Sequence, residues 1–112
     1  MIYLASPYFD SDPKIMKLRY DLVCEACAGL ARKKRVVYSP IMHWHLIAVA
    51  HDLPRDHLFW DVQNYGMISC CFQFYILTLD GWKTSAGIKD DTDYAEKKGK
   101  LIKKISFEEC IS

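Results

Sequence analysis

The sequence predicts a single α/β domain built on a parallel sheet of four or five strands, with helices on both faces. Short apolar segments alternate along the chain with segments of helical periodicity, in the order β-α-β-α-β-α-β. Such alternation is typical of parallel sheets with right-handed crossover connections. In addition, CCFQFYILTL (residues 70–79) is almost continuously apolar. This pattern is expected of a central strand that is covered on both faces.

The first half of the chain contains two predicted strands and a long helix. Met1–Ala5 predicts a short buried strand, and SPYFDSDPK predicts the loop after it. Asp12 suits an N-cap and Pro13 the first helical position. Apolar residues at helical spacing then extend this helix to about Lys33. RVVYSP predicts the second strand, which ends at its Ser-Pro pair.

The second half completes a three-layer, Rossmann-like or flavodoxin-like domain that covers residues 1–112. Two short helices are predicted near 42–50 and 56–68, with a break at Asp52–Pro54. After the third strand we expect a helix over Gly87–Lys98, with Gly99 as its C-terminal cap. KLIKKIS predicts the fourth strand and SFEECIS a short terminal turn. The chain has 112 residues and no visible linker, so one domain is expected.

The composition argues against several classes of partner. Fifteen basic and fourteen acidic residues nearly cancel, which argues against polymeric nucleic acid. Five cysteines without a spaced framework favour a reduced, cytoplasmic protein. Met1–Ala5 is too short for a signal peptide. The longest weakly polar run, Tyr65–Leu79, falls short of the ~20 residues of a membrane span, so no membrane partner is expected.

Three loops should meet at the carboxyl edge of the sheet, where ligands bind in such folds. They are Ser6–Asp12, Tyr38–His45 and Asp80–Gly87. The last loop leads into the fourth predicted helix through LDGWKTSAGIKDDTDYA (residues 79–95). This stretch combines a strand end, a loop of small residues and aspartates in the opening turns of a helix. It is therefore the main candidate for a functional site.

Ser85 and Asp91 are the candidate functional residues of this stretch. Ser85 would lie at a helix N-terminus, which favours an anion, while Asp91 would follow about one and a half turns later. A phosphate could rest on Ser85 and Gly87 while a sugar carbon reaches Asp91. Alternatively, Ser85 is a plain N-cap and the aspartates are solvated helix-end charges. The helix dipole predicts that the Asp91 carboxylate is ionised, as a nucleophile requires.

Histidine and tryptophan supply further candidates. Four histidines suggest a metal site, but His43 and His45 point to different sides of a helix and lack partners at a familiar spacing. The sequence therefore predicts no metal and no cofactor. As members of the second loop, His43 or His45 could instead contact substrate, with partly buried packing beside Trp44 as the alternative, and His43 is assigned to substrate binding. Trp82 either stacks on a nucleobase or covers the edge of the core.

A series of short motifs resembles the nucleoside 2-deoxyribosyltransferase superfamily. The pattern S-x-G-I-x-x-[acid]-x-x-x-A-x-x-x-G-K is matched from Ser85 to Lys100, and IYLASPYF is similar to the first strand and loop of that superfamily. The pattern also resembles the deoxynucleoside-monophosphate N-glycosidases of the superfamily. YSPIMHWHLIA, FWDV and LDGWKTSAG look closer to its small uncharacterised DUF1937 branch. The resemblance covers nearly the whole chain.

The resemblance implies roles for individual residues. Asp91 would attack the anomeric carbon of a deoxyribose and expel the base, and Tyr3 would lie beside it. Ser85 matches a serine that binds the 5′-phosphate, and Asp61 resembles an active-site aspartate. Ser6, Pro7 and Tyr8 would line the sugar. The superfamily nucleophile is normally glutamate, so Asp91 is one methylene shorter, and a misplacement of about 1 Å can cost ~10²-fold in rate.

Three hypotheses follow from these observations. The first is an enzyme that cleaves the N-glycosidic bond of a deoxynucleoside or its 5′-monophosphate, or exchanges the base. The second is a non-catalytic nucleotide-binding or sensing module on the same fold, which the fold alone cannot separate from the enzyme. The third is a structural partner protein with the apolar 41–50 segment at a dimer interface. A homo-oligomer is compatible with the first two, because sites in the superfamily are often completed by a neighbouring subunit.

Overall fold

The computed structural model describes residues 1–112 and contains four strands and five α-helices. The strands are β1 (Ile2–Ala5), β2 (Val37–Tyr38), β3 (Gln73–Leu77) and β4 (Leu101–Ile105). The helices are α1 (Pro13–Arg32), α2 (Pro40–Ala50), α3 (His57–Cys70), α4 (Ala86–Lys97) and α5 (Phe107–Ile111). A single 3₁₀ turn, Trp82–Thr84, leads into α4. None of the helices combines the length and apolar character that a membrane crossing requires.

The sheet is parallel throughout and has the strand order β2-β1-β3-β4. β3 lies between β1 and β4, and four of its five residues are buried. The prediction of a parallel sheet with the third strand in its interior is confirmed. The carboxyl ends of β1, β2 and β3 share one edge, so the three loops that follow them converge there.

Helices cover both faces of the sheet and give the expected three layers. On one face, α1 and α5 pack on alternate side chains of β1 and β3, including Leu4 and Leu77. On the other face, α3 and α4 pack on the intervening side chains, including Tyr3 and Phe74. The alternation of the strand side chains thus divides the core into two halves. The second half lies directly beneath Asp91.

Capping residues explain where several elements differ from the prediction. α2 begins at Pro40 rather than near residue 42, because the Ser39 hydroxyl accepts the N–H of Met42. α3 continues to Cys70, so the third strand begins at Gln73 instead of at residue 70. The expected terminal turn is the short helix α5, which is closed by a capping box between Ser106 and Glu109.

Gly29 of α1 allows the close approach of α5. A Cβ atom at this position would lie 2.1 Å from the carbonyl oxygen of Cys110, which is backbone and cannot swing aside. We therefore expect Gly29→Ala to lower the free energy of unfolding by about 1–3 kcal/mol through overpacking, as measured by urea denaturation. Gly66→Ala is the matched control, because a Cβ there meets no atom within 4 Å. It should raise stability by up to ~1 kcal/mol, and equal effects at both positions would contradict the packing argument.

Candidate active site

A cleft with a volume of about 760 Å³ lies at the carboxyl edge of the sheet. Its walls come from the loop after β1, from α2 and α3, and from the start of α4. Six of the residues predicted for the site line this cleft: Ser6, Pro7, Tyr8, Ser85, Gly87 and Asp91. The parallel topology brings them together from chain positions about eighty residues apart.

Asp91 is a buried carboxyl group at the bottom of this cleft. Only 6% of the residue is exposed, and it shares the inward face of α4 with Ile88 and Ala95. The Tyr3 hydroxyl donates a hydrogen bond of 2.8 Å to Asp91 Oδ2 from beneath. Tyr3 is itself fully buried and stacked on Phe74. Tyr3 therefore holds the Asp91 carboxyl in one orientation without lining the cleft itself.

The protonation state of Asp91 differs from the prediction based on the helix dipole. The pKa of Asp91 is raised to about 7, chiefly by burial. The Tyr3 and Asn64 hydrogen bonds oppose this rise, and the nearby charges of Asp90 and Asp61 add to it. Loss of solvation outweighs the field of the helix terminus because the carboxyl lies inside the protein. The carboxyl is thus about half ionised at neutral pH. A shift of this size in a cleft is typical of functional groups.

Three residues that line the cleft carry a buried polar atom without a hydrogen-bond partner. These atoms are the Ser6 hydroxyl oxygen, Trp44 Nε1 and Asn64 Oδ1, and each exposes less than 1 Å² to solvent. Ser6 as a whole is only 8% exposed. Leaving such groups unpaired costs about 1–3 kcal/mol each, so buried polar groups almost always find a partner. A ligand whose polar groups reach these atoms as it enters the cleft would supply the missing partners.

The N-terminus of α4 forms another part of the wall. Ser85 is its N-cap, and its hydroxyl accepts the N–H of Ile88 at 3.2 Å. The capping function considered for Ser85 is thus confirmed. It does not compete with anion binding, because the first N–H groups of a helix have no intrahelical partner. Gly87 adds no side chain over this end of the helix.

Asp61 lies beside the cleft rather than in its lining. It belongs to a cluster with His57 and Asp90, in which the His57 Nδ1 atom is 3.4 Å from Asp61 Oδ2 and 3.9 Å from Asp90 Oδ2. Burial and the neighbouring Asp90 raise the pKa of Asp61. The three donor atoms lie within 4.8 Å of one another, close enough for shared ligands of a cation. The cluster is partly exposed and the absence of a metal stays a prediction.

Two residues assigned to substrate binding lie elsewhere. His43 is exposed and packs beside Tyr38 and Trp44, because residues two apart on α2 face different directions. His45 faces the cleft instead, and is only 6% exposed. Trp82 packs against the core half under α3 and α4, with the Lys104 ammonium group over its ring. It covers the core edge, the alternative that the sequence left open.

Sequence reasoning missed several lining residues, among them Asn64, Trp44, Trp60 and Arg55. Asn64 lies seven residues after His57, at a spacing that places both on one side of α3. That spacing is the signal in the sequence that could have indicated Asn64 as a lining residue. The Trp60 indole N–H donates to the Pro54 carbonyl at 2.8 Å, which fixes the ring next to Trp44. Nothing local in the sequence indicates this contact.

The comparison with protein families gives one match. Residues 1–107 match the model of DUF1937, a domain of unknown function. No curated protein matches the chain. Since the match covers almost the whole length, the chain belongs to the DUF1937 family.

Proposed function

We propose that this protein cleaves the N-glycosidic bond of a deoxynucleoside or its 5′-monophosphate, with Asp91 as the nucleophile. The sugar is then transferred to water, or a second base takes the place of the first. The observation that carries the proposal is the buried Asp91 carboxyl, oriented by Tyr3 within a cleft of nucleotide size. The sequence pattern from Ser85 to Lys100 supports it independently, through its resemblance to the nucleoside 2-deoxyribosyltransferase superfamily.

The chemistry proceeds in two steps. The Asp91 carboxylate attacks the anomeric carbon as the bond to the base breaks, which gives an ester between enzyme and sugar and a departing base. Water or a second base then attacks the same carbon and releases the carboxylate, so the configuration is retained. The Tyr3 hydroxyl keeps the carboxylate in place during both steps. Only ionised Asp91 can attack, so the first step should speed up as the pH rises through 7.

The rest of the cleft supports a nucleoside ligand. Trp44 and Trp60 both line the cleft, with ring centroids 5.5 Å apart and planes tilted by 60°. The face of either ring is suited to stacking on a planar base. The unpaired Ser6 hydroxyl can donate to or accept from a sugar hydroxyl, and Asn64 Oδ1 can accept from one. These partners would compensate both polar atoms when the ligand binds.

The N-terminus of α4 supports recognition of a 5′-phosphate by Ser85 and the neighbouring N–H groups. We expect Ser85→Ala to weaken the binding of monophosphates ~10-fold more than that of nucleosides, by isothermal titration calorimetry. Ser85→Asp is the matched variant, since it keeps an N-cap acceptor but repels the phosphate. It should preserve stability and weaken monophosphate binding at least as much. Equal losses for nucleosides and monophosphates would remove the case for a phosphate site.

A non-catalytic nucleotide-binding module is the second candidate function. It is favoured by the replacement of glutamate by the shorter Asp91 and by the half-protonated state of that carboxyl at neutral pH. A panel of nucleosides and 5′-monophosphates separates the two candidates, with assays for free base in the presence and absence of a second base. An enzyme releases base from a member of the panel. A binding module is stabilised thermally by nucleotides and releases none.

The surface of α2 and α3 supports the proposal of a homo-oligomer. Leu46 and Val49 on α2 and Leu58 and Val62 on α3 are all exposed. α2 is apolar on nearly every side, and a helix of this kind is usually covered. This helix contains the whole 41–50 segment considered for a dimer interface. Light scattering after gel filtration tests the proposal, and a monomer at micromolar concentration would contradict it.

A further inference from the structure

We propose that Tyr8 and His45 are the proton-accepting pair of the second step, in which Tyr8 takes a proton from the incoming water or base. Tyr8 acts on the reacting group directly, and His45 acts through Tyr8. This assignment rests on the proposed function. Tyr8 and His45 both line the cleft that contains Asp91, whereas Asp61 lies outside its lining.

The two side chains are joined by a short hydrogen bond. The Tyr8 hydroxyl oxygen lies 2.6 Å from His45 Nδ1. Both residues line the cleft that contains Asp91. The imidazole is stacked on Tyr20 at a centroid distance of 4.3 Å and meets the Tyr8 ring edge-on. These contacts hold the imidazole in place, so His45 can accept the Tyr8 proton without a change of position.

The length of the bond indicates its direction. A separation of 2.6 Å is shorter than usual N–H···O bonds and within the range of hydroxyl donors. This length fits a Tyr8 hydroxyl that donates to an unprotonated Nδ1 atom of a neutral imidazole. Its oxygen keeps lone pairs for the cleft, where it can only accept. A water molecule or the N–H of an incoming base is a partner of the required kind.

The surrounding charges favour a neutral imidazole in the resting protein. Burial lowers the pKa of His45, the Lys17 ammonium group lowers it further, and Asp21 opposes both. Burial raises the pKa of the Tyr8 phenol, while the Arg55 guanidinium lowers it. Arg55 can therefore stabilise negative charge that develops on the Tyr8 oxygen as its proton leaves. His45 can accept a proton at neutral pH.

The step balances as follows. The water oxygen bonds to the anomeric carbon while the bond from that carbon to the Asp91 oxygen breaks. The water proton passes to the Tyr8 oxygen, and the Tyr8 proton passes to His45 Nδ1. The products are free sugar, the Asp91 carboxylate and an imidazolium, which then loses its proton to solvent. In base exchange, the ring N–H of the second base takes the place of the water O–H.

Rapid-quench kinetics on Tyr8→Phe and His45→Gln test the assignment, with a substrate from the panel that the wild type cleaves. Removing a general base typically lowers the rate of the step that it assists by ~10²–10⁴-fold. Here only the rate of the second step should fall. We expect one equivalent of base per site in a burst, then slow turnover, with a deoxyribosyl adduct visible by intact-protein mass spectrometry. Azide is a nucleophile that has no proton to lose, so it should attack the adduct without help from the pair and restore turnover. His51→Gln, at an exposed histidine ending the same helix, should behave as the wild type.

Three results would overturn this assignment alone, and a fourth would overturn the proposed function with it. If the wild type is active and the variants show neither burst nor adduct, the pair does not act in the second step. Variants with full turnover would lead to the same conclusion. Nitrogen-15 NMR of labelled histidines gives a third result without any ligand. It should show an unprotonated Nδ1 at pH 7 whose shift changes in Tyr8→Phe, and a protonated Nδ1 would refute the bond direction. A wild type that releases no base would overturn the proposed function and this assignment together.

Discussion

Replacing Asp91 by asparagine should make the protein more stable, and the gain should grow with pH. The pKa of Asp91 is about 7 in the folded protein, compared with 3.8 for the free carboxyl group. Between these values the folded state binds more protons than the unfolded state, so ionisation of Asp91 costs stability as the pH rises. Asparagine removes this cost and keeps an oxygen that can accept from Tyr3. We expect a gain on the order of 3–4 kcal/mol at pH 8.

Urea denaturation at a series of pH values measures this effect. The difference between variant and wild type should be close to zero at pH 4, rise up to about pH 7 and then level off. Asp93→Asn is the matched control, because Asp93 is exposed on the same helix and pairs with Lys89. Its stability should change little at any pH. A loss of stability in Asp91→Asn at pH 8 would show that the buried carboxylate is well solvated or paired after all.

The same substitution should abolish turnover. An amide cannot form the ester with the anomeric carbon, so base release should fall by at least ~10³-fold, while nucleotide affinity stays within a few-fold. Asp91→Glu introduces the glutamate that is usual in the superfamily that the sequence resembles, and it should keep or raise activity if the cleft has room for one more methylene. The measurement is steady-state release of free base, together with the dissociation constant of the nucleotide.

The control variant again is Asp93→Asn, which removes a carboxylate two residues away without touching the cleft lining. It should retain wild-type turnover. Full activity in Asp91→Asn would move the nucleophile to another residue. If neither the wild type nor Asp91→Glu releases base while both bind nucleotides, the binding-module hypothesis replaces the enzyme.

Much of the fold could be predicted because local signals agreed with the tertiary structure. Asp12 and Pro13 mark the start of α1, and Gly99 adopts a left-handed conformation with φ of +70° just after α4, as predicted for a C-terminal cap. The apolar third strand lies inside the sheet. The positions of Ser85 and Asp91 also followed from the sequence, since helical spacing fixes which side chains share a face.

The remainder depended on contacts between distant parts of the chain. The raised pKa of Asp91 follows from its burial, which outweighs the hydrogen bonds of Tyr3 and Asn64. Helix position alone does not reveal this burial. The sequence made both His43 and His45 candidates and assigned His43 to the site. Only the rotation of α2 about its axis, set by packing on α1, selects His45 for the cleft.

The most direct test of the role of Asp91 is the mass of the protein during turnover. Wild-type protein quenched with a cleaved substrate should carry one deoxyribosyl unit, seen first by intact-protein mass spectrometry. Trypsin cleavage after Lys89 and Lys97 releases residues 90–97 as one peptide, and its fragmentation distinguishes Asp91 from Asp90 and Asp93. Our account predicts the adduct on Asp91. Base release with the adduct on another residue would contradict it. Base release with no adduct, under quench conditions that trap the adduct in Tyr8→Phe, would contradict it as well.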